Sequence, residues 1–258
     1  MRLAKRESAR FHPRDWPLFF GPLPRSNAPE LMDAPGLDLD ELSANLRDIR
    51  RVNRFFGGTT TVLRHLPRLL ADIPLDRTIT VLDLATGSAD IPVALSRWAR
   101  ENGRSVSIMA SDASDEMLEL ARRHIGESAE IRLARHDARA VSEPDASYDV
   151  VLCSLALHHF TPDDAARVLR EMRRLCRVGF IVNDLCRSRR GYVVTWLSSR
   201  LTTRNRLTRH DAPLSIRRAY TRDELIGLLG NAGIRDSTVQ THAWFRMAAI
   251  VRKEARDA

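Results

Sequence analysis

From Thr78 onward the chain alternates between short β-branched runs and amphipathic helical stretches, which restricts it to very few architectures. Strands are predicted at 79–84, 106–111, 130–135, 148–154 and 179–184, with helices at 90–101, 115–124, 162–175 and 222–231. Several helix starts carry the right chemistry. Thr161-Pro162-Asp163-Asp164 offers an N-cap, a proline at the first helical position and acids in the first turn. Thr221-x-x-Glu224 is a capping box, and Ser114 precedes Asp115-Glu116 in the same sense. Gly233 stops the last helix. Two further strands, 236–241 and 246–252, have too short a connection to be parallel and must form an antiparallel hairpin. The expected fold class is therefore α/β: a doubly wound, mostly parallel seven-stranded sheet with a C-terminal antiparallel hairpin. Ligands of such sheets bind at the carboxyl ends of the strands.

The segment before Thr78 reads differently. Half of the 12 prolines fall in the first 35 residues, so 1–36 is expected to be a disordered tail. Residues 37–73 form an N-terminal helical cap. Asp38-x-x-Glu41 is a capping box, Leu39, Leu42, Leu46, Ile49 and Phe56 follow helical spacing, and Gly57-Gly58 ends the helix. A second helix follows over about 60–70, bent at Pro67. Residues 74–258 then make the ligand-binding domain. Nothing approaches the roughly 18 apolar residues of a membrane span. The basic N-terminus lacks a signal-peptide apolar core, so a cytoplasmic location is expected. The three cysteines have no metal-ligand spacing, and neither a disulfide framework nor a zinc site is implied.

The strand ends carry the candidate site. VLDLATGSAD (81–90) is a strand running into a turn at Gly87, with Ala85 and Ala89 standing where a glycine-rich loop would have glycine. By itself this is equally a strand that merely ends. Asp83 can hold the amides of the Ala85-Thr86-Gly87 turn or a cationic ligand group. Asp112-Ala113 ends the second strand 25 residues beyond Gly87, where an acid can accept both hydroxyls of a ribose. Met117, with Leu118, can wall an adenine. Asp137 can accept from an adenine amino group and the Ala138 amide can donate to the ring. The compact G-x-G-x-x-G of a nicotinamide-dinucleotide site is missing.

Together DLATGSAD, SDASDEML, HDA and YDVVLCSLALHHF resemble the class I S-adenosylmethionine (SAM) dependent methyltransferases, and among them the ubiquinone/menaquinone C-methyltransferases. The resemblance spans about residues 78–252. More loosely, NRFFGG (53–58) and RHDAPLSIRRAYT (209–221) resemble bacterial methyltransferases associated with type III polyketide synthases. It implies SAM as cofactor, with Asp83 and Gly87 flanking its methionine part, Asp112 on the ribose, Asp137-Ala138 on the adenine and Ser154-Leu155 beside the sulfonium.

Methyl transfer then requires an oriented nucleophile and the removal of a proton. His158 and His159 are the candidate bases, His158 preferred, and Asn183-Asp184 can bind a substrate hydroxyl. No acid follows the fourth strand, so no metal dependence is expected. Residues 185–220 are read as a substrate lid whose apolar inner face (Tyr192, Val193, Val194, Trp196, Leu197, Leu201) suits a phenolic, polyketide or quinone-like acceptor. The net charge is +8, and residues 187–218 hold nine arginines against one acid, Asp211. That patch suits an anionic group, an acidic carrier protein or an anionic surface. Two other readings stand beside the small-molecule enzyme. One is an RNA methyltransferase, carried by the arginines alone, since no nucleic-acid module is visible. The other is a noncatalytic SAM-binding subunit.

Overall fold

The computed structural model describes residues 23–253. The seven strands are β1 (Ile79–Leu84), β2 (Val106–Asp112), β3 (Ile131–Arg135), β4 (Tyr148–Ser154), β5 (Cys176–Leu185), β6 (Ser237–His242) and β7 (Arg246–Arg252). They lie in the order β3-β2-β1-β4-β5-β7-β6. β1 to β5 run parallel, and β7 is antiparallel to both β5 and β6. The sheet is the one read from the sequence.

Burial on both faces explains the strand composition. Along β1, Leu82 and Leu84 enter one apolar core, while Ile79 and Val81 enter the other. In β5, Phe180 and Val182 face the first core and Ile181 the second. Helices α3 (Asp90–Glu101), α4 (Asp115–Ile125), α5 (Pro162–Leu175) and α8 (Arg222–Asn231) supply the outer layers; α4, α5 and α8 start at the side-chain caps Ser114, Thr161 and Thr221, and α3 starts without one after Ala89. The Thr221 capping box is complete: side chain to backbone in both directions.

The cap comprises α1 (Leu39–Phe55), capped by Asp38, and α2 (Gly58–Leu69). A third apolar cluster joins Leu42 and Leu46 of α1 to Met117 and Leu120 of α4 and to Leu207. The cap is locked to the sheet by a buried arginine. Arg246 Nε donates to the Phe56 carbonyl at 2.7 Å and its Nη2 to Asn53 Oδ1 at 3.0 Å. Asn53 in turn donates to Asp90 Oδ2 at 2.9 Å. Gly57, at φ +84°, turns the chain between the two cap helices.

Two sequence expectations change. Order begins earlier than residue 37. Of the expected tail, residues 1–22 lie outside the described residues, but 23–36 are packed on the protein. Ser26 N donates to the Arg217 carbonyl, and Leu31 and Met32 donate their amides to Asp211 at 2.8 and 2.9 Å. Proline content reports an inability to form regular structure, not an inability to be held by side chains from elsewhere. The lid region is also regular: it forms α6 (Arg189–Thr202) and α7 (Arg206–Arg218). The apolar residues expected on its inner face do not turn inward. Val193, Val194, Trp196, Leu197 and Leu201 are exposed, while α6 buries Gly191 and Ser199. The inward-facing helix is α7, with Leu207, Leu214 and Ile216.

Candidate active site

A cavity of about 510 Å³ opens over the carboxyl ends of β1, β2 and β4. Its floor is backbone. Gly87 sits at φ +53°, and Ala85 and Ala89 adopt left-handed backbone beside it at φ 51° and 57°. The two alanines therefore hold the conformation that glycine usually supplies, at a cost of about 1–2 kcal/mol each. Leu155 after β4 does the same at φ 53°. Strain concentrated at strand ends around one cavity is what a ligand-binding loop shows.

Carboxylates hold this floor. Asp112 accepts from the Gly87 amide at 2.9 Å and the Ser114 amide at 3.1 Å, which ties the first loop to the second. Burial nevertheless raises its pKa, against these hydrogen bonds. Asp83 lies beneath the loop and accepts from Thr86 Oγ1 at 2.6 Å. Burial pushes it up to about 7, the Thr86 hydrogen bond opposing and repulsion from Asp90 and Asp112 adding to it. Asp83 Oδ1 and Ser154 Oγ are buried without a protein partner.

On the opposite side Asp33 and His159 line the cavity, backed by an ionic cluster built from four distant segments. Asp184, at the end of β5, accepts from His158 Nδ1 at 2.7 Å and from the His158 amide at 2.9 Å. Burial would raise Asp184, but the His158 charge and these hydrogen bonds outweigh it and hold the carboxylate ionised. An ionised carboxylate only accepts, so His158 carries its proton on Nδ1. His159 repeats the arrangement with Asp33, Nδ1 to Oδ2 at 3.0 Å. The two rings lie 4.4 Å apart, centroid to centroid. Glu30 faces both, 3.6 Å from His158 Nε2 and 3.8 Å from His159 Nε2. Burial alone would lower the His159 pKa, but the Asp33 hydrogen bond and the Glu30 charge raise it above the ordinary imidazole value.

α7 assembles this wall. Asp211 holds the amides of the turn Leu31–Asp33, Ser215 Oγ donates to Glu30 at 2.8 Å, and Arg218 lies 3.8 Å from Glu30. Arg218 also donates to the carbonyls of His159, at 2.8 Å, and Ala28. Glu30, His158 and His159 could also converge on a metal ion, their ligand atoms lying within 4.8 Å of one another. Positive charge beside Glu30 is already provided by Arg218.

Residues 81–179 match the Methyltransf_25 family, described as a methyltransferase domain. These residues form a methyltransferase domain, in a chain that is similar to SAM-dependent methyltransferases. Among curated proteins it is 37% identical, over 100 residues, to the demethylmenaquinone methyltransferase of Deinococcus radiodurans. That match covers 38% of this chain and 39% of the relative's length. Among solved structures, the CurJ carbon methyltransferase superposes with a TM-score of 0.63 at 12% identity, over 84% of this chain and 61% of that one. A SAM-dependent methyltransferase from Aquifex aeolicus gives 0.56 at 18%, over 84% and 98%. At such identities these two speak for the fold.

The methyltransferase domain fits its cofactor. The cavity is of small-molecule size, its floor is accessible backbone, and the unpartnered Ser154 hydroxyl lies on its wall. Ala85, Thr86, Gly87, Asp112, Ala113, Met117, Asp137, Ala138, Ser154 and Leu155 all line it. Asp83 does not; it supports the loop from behind. Asp137 is on the wall, but its carboxylate is gripped by Arg139 at 2.7–3.1 Å, which lowers its pKa.

Three candidate catalytic residues take corrected places. His159 lines the cavity and His158 does not. His158 is buried behind it, so the preference for His158 as base is reversed. Asn183 does not face the site: it is fully buried and donates to the Gly58 carbonyl at 3.2 Å. Successive strand residues point to opposite faces; with Asp184 turned to His158, Asn183 turns to α2. Asp184 itself is occupied by His158 and the Leu185 amide, so it orients His158 and does not bind a substrate hydroxyl. Sequence reasoning missed Glu30, Asp33 and Arg218. The first two stand in the proline-rich stretch and the third among the arginines, and no local pattern marks any of them.

Proposed function

We propose that the protein transfers a methyl group from SAM to a small phenolic, polyketide or quinone-like acceptor, at oxygen or carbon. The observation that carries this reading is the two-sided cavity: a backbone floor tied by Asp112 on one side, and a histidine on the other, beneath an apolar cap of Leu42, Leu46 and Ile49. The named activity of the Deinococcus radiodurans relative, on a quinone precursor, points to the same acceptor class. Bound SAM supplies an electrophilic methyl group; the rest falls to the chain. Asp112 would accept from the ribose, Asp137-Ala138 and Met117 would hold the adenine, and Gly87, Ser154 and Leu155 would border the methionine part. His159 would take the acceptor's proton on Nε2. Asp33 fixes its tautomer, and Glu30 stabilises the imidazolium that results. His158, oriented by Asp184, keeps the second ring in place.

The RNA reading rests on fewer arginines than the sequence count suggests, because several of those arginines are already engaged. Arg187 and Arg218 are buried; Arg187 pairs with Glu224 and Arg206 with Glu41. Arg209 donates to the Thr203 and Arg200 carbonyls.

The test is calorimetric titration with SAM and its demethylated product, followed by turnover on a panel of phenols and hydroquinones. Micromolar binding, weakened about a hundredfold by Asp112→Ala through loss of charge-assisted hydrogen bonds, is expected. Binding with no turnover on any acceptor would favour the noncatalytic subunit.

A further inference from the structure

α6 is amphipathic in the inverted sense. A helix on a water-exposed surface turns its apolar stripe inward. α6 instead rests on Gly191 and Ser199 and presents Val193 (59% exposed), Val194, Trp196, Leu197 (50%) and Leu201 (75%) to the outside. Gly191 is seated against Phe245 so closely that a side chain there would collide with the ring. The inward contact thus needs a small residue. At 100° per residue the five apolar side chains fall within an arc of roughly 160°. The turn that carries Phe245 extends the patch, with exposed Trp244 packed edge-to-face on Phe56 at 5.0 Å.

The same arc carries positive charge. Arg190 and Arg200 lie on it, Arg204 follows directly, and all three are exposed. Arg200 stacks over the Trp196 ring at 4.3 Å. No acidic residue occurs between Asp184 and Asp211. Three occupants could cover such a face. A second copy would bring Arg190, Arg200 and Arg204 against their own counterparts with no acid on the helix to neutralise them. An acidic protein would answer the arginines and leave five apolar side chains without a purpose. A bilayer with anionic headgroups answers both, since apolar side chains enter the acyl boundary while arginine stems reach back to the phosphates.

We propose that α6 is a membrane-surface helix that seats the protein on anionic lipid. It packs on α7, the helix whose Asp211, Ser215 and Arg218 hold the Glu30–His159 wall, so docking would place the acceptor side of the cavity near the bilayer. The proposal does not depend on the acceptor's identity.

The test is co-sedimentation of the full chain with vesicles of phosphatidylcholine alone, and of phosphatidylcholine with roughly one third phosphatidylglycerol. The chain is expected to bind the anionic vesicles, less so at high salt, and weakly the neutral ones. The double variant Leu197→Glu/Leu201→Glu is expected to bind at least about tenfold more weakly, from lost apolar burial and added repulsion. Both positions are exposed, so its Tm and its SAM affinity should match the parent's, which separates loss of docking from loss of fold. Failure of the parent to bind anionic vesicles overturns the proposal. So does undiminished binding by the double variant, which would place the lipid contact elsewhere in the chain. So does concentration-dependent self-association that the variant abolishes, which would make this face a dimer contact.

Discussion

The two sides of the cavity are built in opposite ways. The backbone floor is made from strand ends that follow one another in sequence, with Asp112, Asp137 and Ser154 at the cavity and Asp83 behind the first loop. The histidine wall is made from pieces far apart in the chain. Asp211 reaches back 180 residues to Leu31, Ser215 reaches 185 to Glu30, and Asp33 meets His159 across 126. The floor needs only the sheet to form. The wall needs the cap, α7 and the segment from 23 to 36 to arrive together. One consequence is a division of labour in which the floor can hold cofactor while the wall fails.

Variants can break that division. The largest effect is expected from His159→Gln, which keeps the ring's approximate volume and removes the base. Turnover should fall by about 10²–10⁴-fold while SAM affinity stays within about threefold. Single-turnover kinetics beside calorimetry would check this, and equal loss of both would show that wall and floor are not separable. Next is Arg246→Met, which removes the buried clamp between β7 and the junction of α1 and α2. It leaves the Phe56 carbonyl and Asn53 without their donor. A loss of about 3 kcal/mol in unfolding free energy is expected from denaturant titration. Burial lowers the Arg246 pKa to about 10, so the clamp stays charged at neutral pH.

The smallest effect is on titration. His159 has its pKa raised from 6.5, so its protonated form is favoured in the folded protein. The stabilisation this gives is complete below pH 6.5 and is lost as pH rises through the raised value. If neutral His159 is the active form, the acid limb of kcat against pH should lie above 6.5. Asp33→Asn removes the charge and weakens the hydrogen bond that raise it, so the limb and the imidazole NMR titration should both move to lower pH. A limb that stays put would detach His159 from the chemistry.

The chain's own periodicity was enough for the sheet, its hairpin, the four covering helices and the Gly87 loop that lines the cavity. Each of these is a local matter: two-residue alternation, capping side chains one turn away, and backbone at Gly87 that a short stretch can specify. Even the substituted glycines were visible, and the structure adds only that Ala85 and Ala89 accept the left-handed backbone that glycine would have taken.

What the tertiary structure decided is which side of each element faces what. Asn183 and Asp184 are neighbours in sequence and lie on opposite faces of β5, one against α2 and the other on His158. The apolar residues of α6 point outward because Gly191 and Ser199 give the closer contact with the protein. Glu30 and Asp33 become site residues because α7 supplies acceptors and donors at their distance. Ionic and hydrogen-bonded partners carry no sequence period. Their pairing follows from the path of the chain in space, and only the folded protein fixes it.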